Sequence, residues 1–358
     1  MRATAKENLI EVLDGRTPET TPYSVYDWNM GAVTVAELAH KMQDPEWKSL
    51  LDMGLGISHH CEILSAVEEG VEHISQQRIE GDTTYDIQIK RTPVGEIRKV
   101  TRNGWHHEDW IKTEEDYKVC TWIAEHTRLE AHPERYYEAE KVLGEQGVIV
   151  MTGVGNWLHR TPAMQINIDL AGTEKFCMDV ALQEPVLLEL YEAKKELFMQ
   201  EQKLLAQMPG PYINWLENLT INMLGPARYR ELLVAVYDET IPMLEAADKR
   251  VFVHYDGALD CIKDEIASAP FHGIDSLTEP PEGDMTYDVC RAAWPDKVFW
   301  ANINLELYSA PEDVLRQAVI DKRERSGKRG LAFEISEDRP QNWQKAIPIV
   351  LDVLAGLD

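Results

Sequence analysis

Positive charge is scarce in this chain of 358 residues: 36 lysines and arginines stand against 62 aspartates and glutamates, a net charge of −26. A surface of that sign repels a phosphate backbone, which argues against nucleic-acid binding. Cysteine is also sparse. The five residues, Cys61, Cys120, Cys177, Cys261 and Cys290, are odd in number and widely spaced, with no C-x-x-C pair. That spacing excludes a disulfide framework and fits a reducing, cytoplasmic compartment. No stretch approaches the roughly 18 uninterrupted apolar residues of a membrane helix. The opening Met1-Arg2-Ala3-Thr4-Ala5-Lys6-Glu7-Asn8 has no apolar signal core, so no membrane association is expected. Linkers, internal repeats and low-complexity tracts are missing, which favours one domain. There is no Gly-x-Ser-x-Gly elbow, so acyl chemistry on a serine is not indicated. Gly153-Val154-Gly155 lacks the third glycine and the Lys-Ser/Thr of a phosphate loop.

What remains is an ordinary globular composition, 44% apolar and 27% charged. Its pattern points to an α/β chain. Residues 4–14 read as a short amphipathic helix, and Thr21 to Asn29 as a first strand with a polar, aromatic end. Between about 70 and 105 the period changes to two, in Glu72-His73-Ile74-Ser75 and Thr84-Tyr85-Asp86-Ile87-Gln88-Ile89, separated by Gly81-Asp82. This predicts a β-rich insertion of antiparallel strands. Further strands are predicted at 147–153, 211–216, 250–255, 273–277, 297–302 and 330–335. Helical patterns lie between most of them, with a long helix or a pair over 179–207. Thr113 and Asp116 are candidate helix caps, and Ser309-Ala310-Pro311-Glu312 has the form of a capping box. Strand–helix alternation repeated about eight times predicts a single (β/α)8 barrel.

In such a barrel the carboxyl ends of the strands share one mouth, where chemistry is kept. The polar residues at those ends are Asp27 and Asn29, Glu217 and Asn218, His254 and Asp256, Glu279, Asn302 and Asn304, and Glu334. His254 and Asp256, two apart, face one side of a strand. A histidine with one or two carboxylates suits a divalent metal, zinc being the commonest with such ligands. In the alternative reading Asp256 accepts a hydrogen bond in the turn before Gly257 and orients His254. His59-His60-Cys61, taken as helical neighbours, point about 100° apart and read as structural. His106-His107-Glu108-Asp109 reads as a solvated loop. Tyr26, Trp28, Trp157, Trp215, Tyr255 and Trp300 fall near the expected mouth. They are either core aromatics or the walls of a broad pocket for a flat aromatic or large ring, the second reading applying to Trp28 and Trp215 first.

Several segments together resemble the uroporphyrinogen decarboxylase superfamily. Ala5-Lys6-Glu7-Asn8-Leu9, Leu13-Asp14-Gly15 and Thr20-Thr21-Pro22 are similar to its N-terminal helix and first strand. Arg91-Thr92-Pro93-Val94-Gly95, His254-Tyr255-Asp256-Gly257, Thr278-Glu279-Pro280-Pro281-Glu282-Gly283-Asp284 and Ile335-Ser336-Glu337-Asp338 resemble one branch of it. The resemblance spans nearly the whole chain. It implies a TIM barrel and one of two activities: cofactor-free decarboxylation of a tetrapyrrole, or methyl transfer involving a corrinoid protein and a zinc ion. It also implies a homodimer. The decarboxylase branch carries an arginine-rich loop after the first strand, whereas Tyr26-Asp27-Trp28-Asn29-Met30-Gly31 has no cation. The methyltransferase branch carries His-x-Cys zinc ligands and a further cysteine near the last strand, whereas this chain has His254-x-Asp256 and Phe333-Glu334.

The expectation is therefore a methyltransferase that moves a methyl group between a small methylated compound and cobalamin carried by a partner protein. Zinc would be held by His254 with Asp256, Glu279 or Glu334, a harder and more electrophilic ion than one bound by thiolates. Asp27, Glu217 or Asn218 would orient substrate or move a proton. Trp28, Asn29, Trp215, Tyr255 and Asn302 would bind it. The competing readings are a decarboxylase-like lyase acting on another substrate and a non-catalytic corrinoid or tetrapyrrole binder.

Overall fold

A computed structural model describes residues 2–155, 159–219, 221–335 and 338–357. Eight parallel strands close into a barrel: β1 (Tyr23–Tyr26), β2 (Gly56–Glu62), β3 (Gly147–Thr152), β4 (Tyr212–Trp215), β5 (Arg250–His254), β6 (Gly273–Leu277), β7 (Val298–Asn302) and β8 (Leu331–Glu334). Each pairs with its neighbours in sequence, and β8 closes on β1 through the register Tyr23–Phe333 and Ser24–Glu334. Helices return the chain between the strands, so the fold is a (β/α)8 barrel.

The strands are short and apolar on both faces because both faces are covered. Their two side-chain phases enter two separate cores. Val148, Val150, Tyr212, Phe252, Val298, Trp300 and Ala332 point inward and join Leu9, Val12 and Leu13 of the first helix (Ala5–Leu13), which plugs the amino-terminal end. Ile57, Ile149, Met151, Ile213, Trp215, Val251, Val253, Ile274 and Phe333 have the opposite phase and pack in the layer between strands and helices. The first helix is set by a capping box: the Thr4 hydroxyl accepts from the Glu7 N–H and the Glu7 carboxylate from the Thr4 N–H.

The β-rich insertion lies between β2 and β3. Four antiparallel strands, Glu72–Glu80, Thr83–Thr92, Gly95–Arg102 and Trp105–Glu108, form a meander. Asn103 and Gly104 both have positive φ, 49° and 80°. That is the backbone a two-residue hairpin with right-twisted strands requires. Leu64–Glu68 and Thr127–Ala131 pair separately as an antiparallel ribbon at its base.

Three local expectations need correction: His106, His107 and Glu108 stand on the strand Trp105–Glu108 and not on a loop. His59, His60 and Cys61 stand on strand β2, not on a helix, and their alternation sends His60 into the barrel and its neighbours outward. The Ser309–Glu312 box does not form: the helix Glu312–Ser326 begins after Pro311 with no side-chain cap. The expected cap at Thr113 and Asp116 does form, on the helix Glu114–Glu125. The long helical stretch is a pair, Thr173–Leu182 and Pro185–Leu205, broken where Gln183 turns left-handed. Among the described residues no helix is long and apolar enough to cross a membrane.

Candidate active site at the carboxyl ends of the strands

Below the mouth, the inward phase is apolar apart from Ser24, which accepts from Trp300 Nε1. One turn of the pleat higher it becomes polar: Tyr26 on β1, Ser58 and His60 on β2, Asn214 on β4, His254 on β5, Asp275 on β6 and Glu334 on β8 are all buried. Buried polar groups persist when they bond one another, and here they converge on Asp275. Its Oδ1 accepts from the Tyr26 hydroxyl at 2.8 Å. Its Oδ2 accepts from Asn214 Nδ2 at 2.6 Å and from His254 Nδ1 at 3.1 Å. A carboxylate only accepts, so the His254 proton facing it sits on Nδ1. Next to Asp275, Ser276 takes a left-handed φ of 60°, and the β6–β7 register slips between Asp275 and Leu277. A bulge with a non-glycine residue in that region is the kind of local strain that re-aims side chains at working sites.

Two carboxylates in this layer titrate in opposite directions. Burial alone would raise Asp275, but the hydrogen bond and charge of His254, with His60 and Asn214 nearby, outweigh it and hold the carboxyl below its ordinary range. Burial and then the charge of Asp275 push Glu334 well above its ordinary range. Glu334 Oε1 faces the hydroxyls of Ser58 and, at 3.3 Å, Ser24, while Oε2 has no hydrogen-bond partner among the described residues. Burial and the charge of Asp275 thus favour the protonated form of Glu334. The two neighbouring carboxyls are pushed in opposite directions, the pattern of paired groups with separated acid and base roles.

His60 completes the layer. Burial lowers its imidazole to about 4, against the pull of Asp27 and Asp275, so it is neutral at pH 7. Asn214 Nδ2 lies 3.3 Å from His60 Nε2, which makes that nitrogen the acceptor and puts the proton on Nδ1. Nδ1 has no partner among the described residues. Trp28, in the turn Asp27–Met30, stacks on Tyr26 with centroids 4.0 Å apart and lies 5.0 Å from the His60 ring. The Tyr26–Trp28 pair roofs the polar layer.

The predicted residues divide between this place and others. Glu334 and His254 are in the layer, and Trp28 stands over it. Asp27 is at the mouth but bound to His59 Nδ1 at 2.5 Å. Asn29 is buried in the same turn, where its carbonyl accepts from Arg339. Asn302 lies at the end of β7 beside Thr278. Asp256 lies past the end of β5, and the carboxylate that orients His254 is Asp275. Glu279 is neutralised by Lys322 and Arg325 and accepts from the Tyr287 N–H. Trp215 and Tyr255 point out of the barrel. Trp215 packs on Phe198 and Tyr237 and donates to Gln202, and Tyr255 bonds Tyr237 and Tyr229. Glu217 is outside as well, accepting from Thr161 and Tyr237, and burial raises it to about 7. Asn218 occupies a turn with φ 48°. Trp157 lies outside the described residues.

Of the residues expected to hold zinc, His254 and Glu334 share the layer, while Asp256 lies past the end of β5 and Glu279 is paired with Lys322 and Arg325. Among the described residues no three histidine, cysteine, aspartate or glutamate side chains are gathered to hold a metal. His60, Asp275, Asn214 and Tyr26 were not anticipated as a group. The available signal was the alternation of small and polar residues in Gly56-x-Ser58-x-His60, and the lone acid inside Gly273-Ile274-Asp275-Ser276-Leu277.

No family model and no curated protein sequence matches the chain. Among solved structures, a methyltransferase from Methanosarcina mazei shares the fold over 99% of both chains, with a TM-score of 0.60 and 11% identity. A xylose isomerase-like TIM barrel protein from Mycobacterium smegmatis, in complex with magnesium, aligns over 94% of this chain and 97% of its own at a TM-score of 0.39 and 10% identity. The likeness to the methyltransferase is one of fold.

Proposed function

We propose that this chain is a methyl-transferring enzyme of the uroporphyrinogen decarboxylase type, with its reacting centre in the polar layer around Asp275 and Glu334. The observation that carries the reading is that pair, one carboxylate held charged and its neighbour held protonated inside the mouth. The full-length fold likeness to a methyltransferase supports the choice of reaction. The substrate is a small compound with a methyl group on a heteroatom, and the corrinoid arrives on a partner protein over the mouth. A bound corrinoid supplies the nucleophile that takes the methyl group.

The chain's own residues handle the heteroatom. As the bond to methyl breaks, the electron pair stays on the heteroatom, which takes the proton of Glu334. Asp275 stays ionised, fixes His254 and disfavours a second negative charge, so Glu334 is reloaded from solvent. His60 Nδ1–H donates to the substrate, and Trp28 lies against it. In the reverse direction Glu334 receives the proton of the acceptor. No step is routed through a metal: among the described residues no three histidine, cysteine, aspartate or glutamate side chains gather to hold one.

The test is to incubate the purified chain with reduced cobalamin and a panel of O-, N- and S-methyl compounds, following the corrinoid absorbance. Methylation that needs the chain and is lost in Glu334→Gln supports the reading. Carbon dioxide release from a carboxylated substrate without any corrinoid methylation sinks it in favour of the lyase.

A further inference from the structure

The inserted meander turns its apolar face away from the rest of the molecule. Register sets which side chains share a face. Arg78 is opposite Tyr85, Tyr85 opposite Arg102 and Arg102 opposite Trp105, while Ile74 is opposite Ile89 and Ile87 opposite Val100. Side chains paired across strands, and those two apart along a strand, point to the same side of a sheet. Ile74, Tyr85, Ile87, Ile89, Val100 and Trp105 therefore form one face. The other side docks on the protein: Ile97 enters the strand–helix core, Gly95 lies against Val119, and Lys90 stands 5.3 Å from the centre of the Trp110 ring.

An antiparallel sheet with one solvated side ordinarily turns its apolar side inward. Here the order is reversed. Among the described residues, none of the six apolar side chains joins either hydrophobic core. Ile74, Tyr85, Ile87 and Ile89 are half-buried, and Trp105 is 81% exposed. Contiguous exposed apolar surface of this kind marks an interaction site. The charges on the face agree with that. Its cations are all arginines: Arg91 pairs with Glu72 and Glu96, both at 2.9 Å, Arg98 with Glu108 at 3.1 Å, and Arg78 with Glu80 at 3.2 Å while lying over the Tyr85 ring. Lys90 and Lys99 are on the opposite side. Arginine and aromatic residues are enriched at protein interfaces, and lysine is depleted.

Charge and area name the occupant. Residues 72–108 contain six lysines and arginines and six aspartates and glutamates, so the net charge of −26 lies entirely outside the insertion. Two copies of this chain repel one another over the rest of their surfaces, and the repulsion is least across this neutral patch. A strongly basic partner would find its attraction elsewhere, on the acidic body. Four strands about 4.8 Å apart and about eight residues long cover roughly 500 Å². Two such faces together bury about 1,000 Å², the size at which specific interfaces begin. We infer that the meander face centred on Ile87 is a self-association surface, on which a second copy of the chain lays the same face in a two-fold, sheet-on-sheet pairing. The contact stands apart from the reaction proposed above and does not depend on it.

The experiment follows the mass of the full chain by analytical ultracentrifugation from nanomolar to high micromolar concentration. The expected result is a monomer–dimer equilibrium that is weakened about tenfold or more in Ile87→Lys and is also weakened in Trp105→Ala. Circular dichroism checks the fold of both variants. Trp105 is exposed, so Trp105→Ala keeps the test decisive should Ile87→Lys misfold. A chain that stays monomeric at the highest concentration overturns the inference, and so does a dimer that Trp105→Ala leaves unchanged. A monomer in which Trp105→Ala abolishes binding to a corrinoid-bearing protein assigns the face to that partner and overturns the inference as well.

Discussion

Asp275 and Glu334 occupy the same buried layer of the barrel, and the charge of Asp275 is among the reasons that Glu334 keeps its proton. The relationship is mutual in function. An ionised Asp275 holds Tyr26, Asn214 and His254 by hydrogen bonds, while the protonated Glu334 is the only side of the pair with hydrogen to give.

The first prediction concerns that proton. Glu334→Gln keeps the shape and removes the acid, so kcat should fall by about 10²–10⁴ with a small change in KM. Folding should not suffer. A carboxyl whose folded pKa is raised binds more protons in the native state, so its contribution to stability declines as pH rises above its unfolded value near 4.5. The variant should therefore be at least as stable as the parent at pH 8, measured by thermal melting.

Removing the partner charge should move the same titration. In Asp275→Asn the band of the protonated Glu334 carboxyl in the infrared should vanish at a lower pH than in the parent. A band that stays in place would show that burial alone sets the Glu334 proton.

Glu201 gives a pH prediction outside the site. It is buried, accepts from the Val154 N–H at 2.6 Å, and burial raises it to about 7. Its stabilising share is complete below about 4.5 and is lost as pH rises to about 7. Glu201→Gln should raise stability at pH 8 by on the order of 1–3 kcal/mol, with little gain at pH 4, as read by denaturant unfolding at both pH values.

The outward tryptophan should separate stability from binding. Trp215→Ala removes a fully buried ring from the strand–helix layer and should cost about 3–5 kcal/mol of stability with KM unchanged. Trp28→Ala should do the reverse: a loss of about 0.5–1.5 kcal/mol from the stack on Tyr26, and a raised KM.

Much of the architecture was legible in the chain. Val251-Phe252-Val253-His254 announces a short strand buried on both faces, and its repetition with helices between announces a barrel with polar strand ends. Gly81-Asp82 and the alternation around it announce the inserted meander. Composition, periodicity and turn residues fix such features locally. The site was legible only in part, because its membership depends on which way each side chain points. Trp215 and Asn214 are adjacent, and a single step of the pleat puts one among the helices and the other beside Asp275. His60 reads as one of two histidines until β2 is paired with β1 and β3, and only closure of the barrel brings it near residues two hundred positions away. The sequence by itself determined the strands, the acidic surface and the face that carries polar groups. Tertiary structure alone decided that His254 is oriented by Asp275 and not by Asp256, because a hydrogen bond across neighbouring strands is set by register, which no local pattern encodes.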